Sequence, residues 1–449
     1  MARPPIDGRP ARWWCTVGLI LSLAGAIAAQ ETLSLTLEKA VWMGIENSKA
    51  LHASLMDVDA AVARYDTARA ARWPALMFTA GYAYLSTVPE FSLQTPPPNS
   101  RNIVVNPSIN NTYMFRVSAQ QPLYTGSRLE GTEAAAALGA LAGRQDLARD
   151  TRLLVYQIKA AYWIHHRARE ILRVVEENVV RMEAHLQDVR NLLSEGMATT
   201  DDVLKIETQL SSVRLMRLDA QNGLEISRLA LDNLLGLPLE TRLDLATPLP
   251  ETYPAPDDAE TSFLEAAESR PELKALDLRW KAAETAVKVA GADKLPQVFL
   301  NGNYTYARPN NRIFPGEDRF NGTWDVGVGL SFNLWDWKAA DHRMRQARAQ
   351  AEKAKDTLGT VQDSIRLEVR TSTFQLINAL DKAAESATGV RQAEESLRVI
   401  KERFQEGVAT SSEVLDAEVA LLQAGLQKTQ ARVDAALARA ALDRALGRE

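Results

Sequence analysis

A chain of 449 residues with a formal net charge of −5 and one cysteine has no basic cluster that would give nucleic acid an electrostatic footprint. Its five histidines are scattered, so neither a metal centre, a disulfide framework nor a cofactor site is expected. Length alone suggests two or three domains. The chain repeats its own pattern, however, which argues for one elongated body built from two similar halves.

Residues 1–29 read as a secretory signal peptide. Arg3, Arg9 and Arg12 precede an apolar run at 17–24, and Ala26-Ile27-Ala28 supplies the small residues of a cleavage site. The run is too short to span a bilayer as a helix, and no longer one follows. Cys15 falls inside it behind Trp13-Trp14, so it reads as incidental and the mature chain as free of thiols.

The mature sequence starts with Leu35-Thr36-Leu37-Glu38-Lys39-Ala40, a helix with Thr36 as its N-cap. A second helical stretch runs to Trp73-Pro74, where the proline ring and its missing N–H end it. The same order returns 222 positions later, when Ser269-Arg270-Pro271-Glu272-Leu273 leads into a helix that stops at Lys294-Leu295-Pro296.

After each proline the hydrophobic period changes to two. Phe78, Ala80, Tyr82, Tyr84 and then Tyr113, Phe115, Val117, Ala119 alternate with polar or small residues in a hairpin at about 76–124. A second, at about 297–335, carries Val298, Leu300, Gly302, Tyr304, Tyr306 and then Trp324, Val326, Val328, Leu330, Phe332, Leu334. Runs of this length match the roughly 9–11 residues a tilted strand needs to cross a bilayer. The opposite face is Asn, Thr, Ser, Asp and Gly, whereas a half-buried hairpin on a soluble domain would carry Lys and Glu. Four strands cannot close a barrel, and lipid does not tolerate an open edge. The smallest closed barrels have about eight strands, so two or more chains must pool theirs. The loops at 85–111 and 308–321, rich in Pro and Asn, would face outward.

Long helices follow at about 127–193 and 338–404. Leu172, Val175, Val179, Met182, Leu186, Val189 and Leu193 step 3-4-3-4, and the return helix continues with Val203, Ile206, Leu210 and Val213, a heptad seam. The second copy reads Val414, Ala417, Leu421, Ala424. Each pair of helices meets at a tip, Ser194-Glu195-Gly196-Met197-Ala198-Thr199-Thr200 and, 211 positions on, Gln405-Glu406-Gly407-Val408-Ala409-Thr410-Ser411. Glycine permits the left-handed residue that ends the first helix. Thr410 and Glu413 have capping-box spacing, and Thr199 with Asp202 makes a shorter-armed version. The proline-rich segment 237–262 reads as a linker across the outside of the helical body. The halves are then 30–236 and 263–449.

In this order of elements, with Leu35–Ala40, Arg270-Pro271-Glu272-Leu273 and Gly407 followed by Glu413-Val414-Leu415-Asp416-Ala417, the chain resembles the TolC family of outer-membrane efflux proteins over nearly its whole mature length. The resemblance implies an α+β membrane fold: a homotrimer with a 12-stranded β-barrel in the outer membrane, continued by a long α-helical barrel through the periplasm. It implies an outer-membrane channel-tunnel of a tripartite efflux or type I secretion system, passive and without covalent chemistry, partnered by a periplasmic adaptor and an inner-membrane transporter. The family's acidic periplasmic gate maps to Glu413 and Asp416, one helical turn apart, and Asp202 matches an acid that pairs in the family with an Arg. Here that Arg position is Ala409, and Phe404 stands where the family often has Tyr. The adaptor would meet the tips at Gly196, Met197, Thr199, Gly407, Val408 and Thr410. An enzyme is not supported, because His165 and His166, being adjacent on a helix, point about 100° apart. The alternative is a periplasmic coiled-coil structural or adaptor protein without a pore, which needs the heptads but not the four strands.

Overall fold

The computed structural model describes residues 33–448 apart from 99 and 257. The expected signal segment, with Cys15, lies outside them. A short strand, β1 (Leu33–Leu35), leads to α1 (Leu37–Asn47), whose cap is Thr36: its side chain accepts from the Lys39 N–H. Ser48 caps α2 (Lys49–Ala70) in the same way. Then come β2 (Ala75–Tyr84), β3 (Phe91–Gln94), β4 (Asn102–Asn106) and β5 (Asn111–Tyr124), followed by α3 (Arg128–Ser194) and α4 (Thr200–Leu235). The second half runs β6 (Leu243–Leu245), α5 (Ala259–Ser269), α6 (Pro271–Gly291), β7 (Gln297–Arg308), β8 (Asn321–Ser331), α7 (Ala339–Gln405) and α8 (Ser411–Leu446).

The four long strands form one antiparallel sheet in the order β2-β5-β7-β8. Register puts Phe115 opposite Ala80 and Tyr306, and Tyr304 opposite Val117 and Trp324, so the apolar residues of all four strands share one face. That face is open: Trp324 is 71 % exposed, Leu330 70 % and Phe78 67 %. An apolar surface of this extent marks contact with lipid or a partner, and β2 and β8 remain edges among the described residues. Near the loops Phe320 packs on Tyr113, Phe115 and Tyr306, an aromatic cluster at one rim of the sheet.

Two features of the sheet differ from the sequence expectation. β3 and β4 pair as a small hairpin inside the first loop, too short for alternation to reveal. β8 ends at Ser331, although the alternation continues to Leu334. The chain has to turn there into α7: Asp336 Oδ2 accepts from the Ala340 N–H at 2.8 Å, while Trp337 and Lys338 take left-handed φ of 54° and 66°. Gly126 and Ser127 do the same before α3, at φ 63° and 67°.

The helices α3 and α7 have 67 residues each, and α4 and α8 have 36. At 1.5 Å per residue the longer pair extends about 100 Å. No helix among the described residues is long and apolar enough to cross a membrane. The seams pack as their spacing requires. Val175, Val179, Met182 and Val189 of α3 bury against Val203, Ile206, Leu210 and Val213 of α4, and Leu422 of α8 joins them. Leu397 of α7 packs with Val414 and Ala417 of α8.

The proline-rich segment is not confined to the outside of this body. β6 pairs in parallel with β1, Leu33 opposite Leu243, and Leu245 and Leu249 enter a core with Ile158, Tyr162, Leu231 and Leu235. Tyr162 is fully buried, so its hydroxyl needs partners. It donates to the Leu35 carbonyl at 3.0 Å and accepts from the Thr247 N–H at 3.1 Å, which pins the linker to the start of the chain.

Each return helix ends on a left-handed glycine, Gly236 at φ 69° and Gly447 at φ 73°, and a side chain from the other end of its half plugs the last turn. Asn47 Nδ2 donates to the Leu235 carbonyl at 3.0 Å. A Cβ at Gly236 would lie 2.8 Å from the Asn47 Cβ. On α8 the plug is Arg270, whose Nε donates to the Ala445 carbonyl at 3.0 Å.

Candidate functional site

The far ends of the two helical hairpins are built alike, atom by atom. Gly196 and Gly407 sit at φ 76° and 75°. Behind each, the next N–H closes the turn onto the helix: Met197 N–H to the Leu192 carbonyl and Val408 N–H to the Arg403 carbonyl, both at 2.8 Å. This is the 6→1 bond that satisfies an otherwise orphan carbonyl. Met197 and Val408 are 70 % and 64 % exposed, and nothing lies within reach of a Cβ at either glycine. Each tip therefore presents a bare apolar side chain beside open backbone.

Both capping boxes are complete. Thr199 donates its N–H (3.0 Å) and its hydroxyl (2.6 Å) to Asp202 Oδ2, and the Asp202 N–H donates back to Thr199 Oγ1 at 3.2 Å. Thr410 and Glu413 reproduce the set at 2.7, 2.9 and 3.3 Å. Hydrogen bonds from the Thr199 hydroxyl and N–H hold the Asp202 carboxyl below its usual range. Those from the Thr410 N–H and hydroxyl do the same for Glu413. Asp202 is thus engaged within its own tip. Ala409, where the resemblance would place a cation, is buried at 9 % exposure and too short to reach any acid.

Glu413 and Asp416 lie one turn apart on the exposed side of α8, while Val414 and Ala417 turn into the seam. Asp416 makes no hydrogen bond or ion pair among the described residues. Glu413 serves the helix start through Oε2 alone and Asp416 has no such structural role, so both carboxylates stay exposed on this face.

One turn deeper lies a polar cluster that the sequence did not disclose. Glu418 of α8 is fully buried, with Lys401 Nζ of α7 at 2.9 Å from Oε1. Neither carboxylate oxygen meets a directed hydrogen bond, so the attraction is coulombic. Asn178 of α3, also fully buried, donates to the Glu418 backbone carbonyl at 3.3 Å. His185 of α3 places Nε2 3.4 Å from the Ser411 carbonyl and 3.3 Å from its hydroxyl, with its ring edge-on to Phe404. Burial pushes the His185 imidazole down. Side chains of three helices thus tie the first hairpin to the second just behind the tip. Asn178 and His185 are seven positions apart beside the Val175–Val189 seam, a polar row at heptad spacing that could have signalled a third helix on that face.

His165 and His166, whose adjacency argued against a shared site, do part company. His165 faces Ser227 of α4 at 2.9 Å, and His166 packs on Trp163. Among the described residues no three His, Cys, Asp or Glu side chains gather as metal ligands.

The comparisons with known proteins agree with this architecture. The family model described as outer membrane efflux protein matches residues 43–237 and 264–448, two segments that leave out the linker. The outer membrane efflux protein BepC of Brucella suis biovar 1 is 26 % identical over 334 residues, covering 74 % of this chain and 71 % of that protein. The outer membrane protein TolC of Vibrio cholerae is 23 % identical over 424 residues, 92 % of each chain. Among solved structures, the outer membrane protein VceC from Vibrio cholerae superposes with a TM-score of 0.77 at 19 % identity, over 92 % of this chain and 96 % of that one.

Proposed function

Because the chain belongs to the outer membrane efflux protein family, a family of channels of the TolC type, we propose that it is the outer-membrane channel of a tripartite efflux or type I secretion system. It conducts cargo passively from the periplasmic side to the exterior. The observation that carries this reading is the four-stranded sheet, apolar on its open face and, among the described residues, unpaired at both edges, set on helices about 100 Å long. Such a sheet is stable in lipid only when further copies close it. Three copies give twelve strands in the barrel and twelve helices in the tunnel below it. The equal helix lengths and the matching tips support two structural repeats, 30–236 and 263–449, with 237–262 joining them.

The work is done by position and charge, and no bond is made or broken. Glu413 and Asp416, repeated by three-fold symmetry, form carboxylate rings at the periplasmic entrance that favour cations and narrow the path. Asp202 braces the first tip from within. The exposed surface at Gly196, Met197, Thr199, Gly407, Val408 and Thr410 meets a periplasmic adaptor, which an inner-membrane transporter supplies with cargo. The rings are tested by reversal potentials in a salt gradient across planar bilayers. Glu413→Gln with Asp416→Asn keeps the capping box, since Gln serves in it, and lowers the cation-to-anion permeability ratio. An unchanged ratio would remove both acids from the conduction path.

A further inference from the structure

The opposite end of the conduction path carries charge of the other sign. Register fixes which strand residues share the polar face: Arg116 lies opposite Thr79 on β2 and Thr305 on β7, which pairs with Thr323 on β8. In the next row toward the helices Ser118 lies opposite Asn303, which pairs with Asp325. Within the paired strands Arg116 and Asp325 are the only charged residues on this face, since Arg308 belongs to the same row parity as Tyr306 and Tyr304. Arg308 is held on the apolar side, over the Tyr113 ring and against Asp318.

The two lumenal charges are not equivalent. Asp325 accepts from Asn303 Nδ2 at 2.7 Å and has Arg312 of the β7–β8 loop 3.8 Å away. Arg312 in turn donates to the Trp324 carbonyl at 2.8 Å. Arg116 donates only to the Thr305 hydroxyl, at 3.2 Å, and has no acidic partner among the described residues. It lines a cavity of about 920 Å³ on the polar face, under Ile313 and Phe314 of one loop and Leu85 and Val88 of the other. Arg312 and Asp325 line the same cavity and offset each other, so Arg116 leaves it with one net positive charge per chain just beneath the outward loops.

We infer that Arg116 is a specificity-determining residue of the channel, forming by symmetry a cationic ring at the exterior mouth that eases the exit of anions and of the anionic groups of cargo. The inference rests on the channel reading above. A guanidinium is charged at every physiological pH and prefers carboxylate, phosphate and sulfonate oxygens. The ring lies at the far end of the path from the Glu413 and Asp416 carboxylates, so the pore is acidic where cargo enters and basic where it leaves. Such an arrangement favours one direction of net ion flow over the other at equal and opposite voltages.

The test is reversal potential and current–voltage asymmetry of the purified full chain in planar bilayers under a potassium chloride gradient. Three unit charges about 10 Å from the axis, screened at about 0.1 M salt, alter ion partition about twofold. Cation and anion partition shift in opposite senses, so Arg116→Gln should raise the potassium-to-chloride permeability ratio about fourfold and reduce the asymmetry. Arg308→Gln removes the same charge from the apolar side and should change the ratio much less. Channels in which Arg116→Gln leaves the ratio unchanged, or in which Arg308→Gln shifts it as far, would overturn the inference while leaving the channel intact. Absence of channels from the unmodified chain would overturn the channel reading itself, and this inference with it.

Discussion

Arg270→Ala should cost about 3–5 kcal/mol, the usual loss when one partner of a buried ion pair is removed. Arg270 is only 6 % exposed and spends every arm of its guanidinium. Nε donates to the Ala445 carbonyl in the last turn of α8, Nη1 to Glu272 at 2.9 Å, and Nη2 to Glu368 of α7. Without it the Ala445 carbonyl and Glu272 lose their donor, Glu368 is left with Arg444 alone, and α5, α6, α7 and α8 lose the contact they share. The neutral counterpart in the first half offers a built-in comparison. Asn47→Ala removes one amide bond to the Leu235 carbonyl, worth about 1 kcal/mol. Thermal unfolding of the detergent-purified protein measures both. Equal, small losses would show that Arg270 is solvated and that its ion pairs are incidental.

Acid should weaken the helical body before it protonates the carboxylates. Burial, with Arg169 and Arg228 adding to it, pushes the His165 imidazole down to about 4, and burial lowers His166 and His185 in the same direction. Ser227 gives its one hydroxyl hydrogen to the Leu224 carbonyl at 2.8 Å, which leaves its oxygen to accept from His165 Nδ1–H. Above about pH 6.5 the imidazole is neutral in both folded and unfolded chains, and no pH dependence arises from it. Between 6.5 and 4 the unfolded chain takes up a proton that the folded one refuses, so stability falls as pH falls, and the loss is complete below the folded value. For His165 the loss amounts to at most about 3 kcal/mol. His165→Gln should flatten part of that slope, as read from denaturation midpoints at pH 7, 6, 5 and 4. A slope that persists in full would place the acid sensitivity elsewhere.

The sequence made the strands and the long helices legible because each repeats one simple period over many residues. Alternation over β7 and β8 and the 3-4-3-4 seam of α3 leave no competing assignment, and glycine followed by Thr-x-x-acid at each tip specifies both the turn and the cap. What stayed hidden involves partners distant in sequence. Tyr162 gives no sign that it will bridge Leu35 and Thr247, and segment 237–262, judged from its prolines alone, conceals the β6 pairing with β1. Glu418 reads as a solvated charge until α3 and α7 close over it. The left-handed geometry of the turn before α7 gives no sign in the sequence, because Trp337 and Lys338 occupy backbone where glycine would be the expected signal. At the tips the capping roles of Asp202 and Glu413 were legible from their spacing, whereas the cluster of Glu418, Lys401, Asn178 and His185 behind them needed the coordinates.

On the function proposed, several copies of this chain close their strands into a pore across the outer membrane. The most direct test is single-channel recording from the purified mature protein in planar bilayers, alongside its behaviour without detergent. The expected result is protein that requires detergent and gives long-lived current steps of uniform size. Protein that stays soluble without detergent and yields no steps at any concentration would contradict it, and would leave a periplasmic coiled coil without a pore.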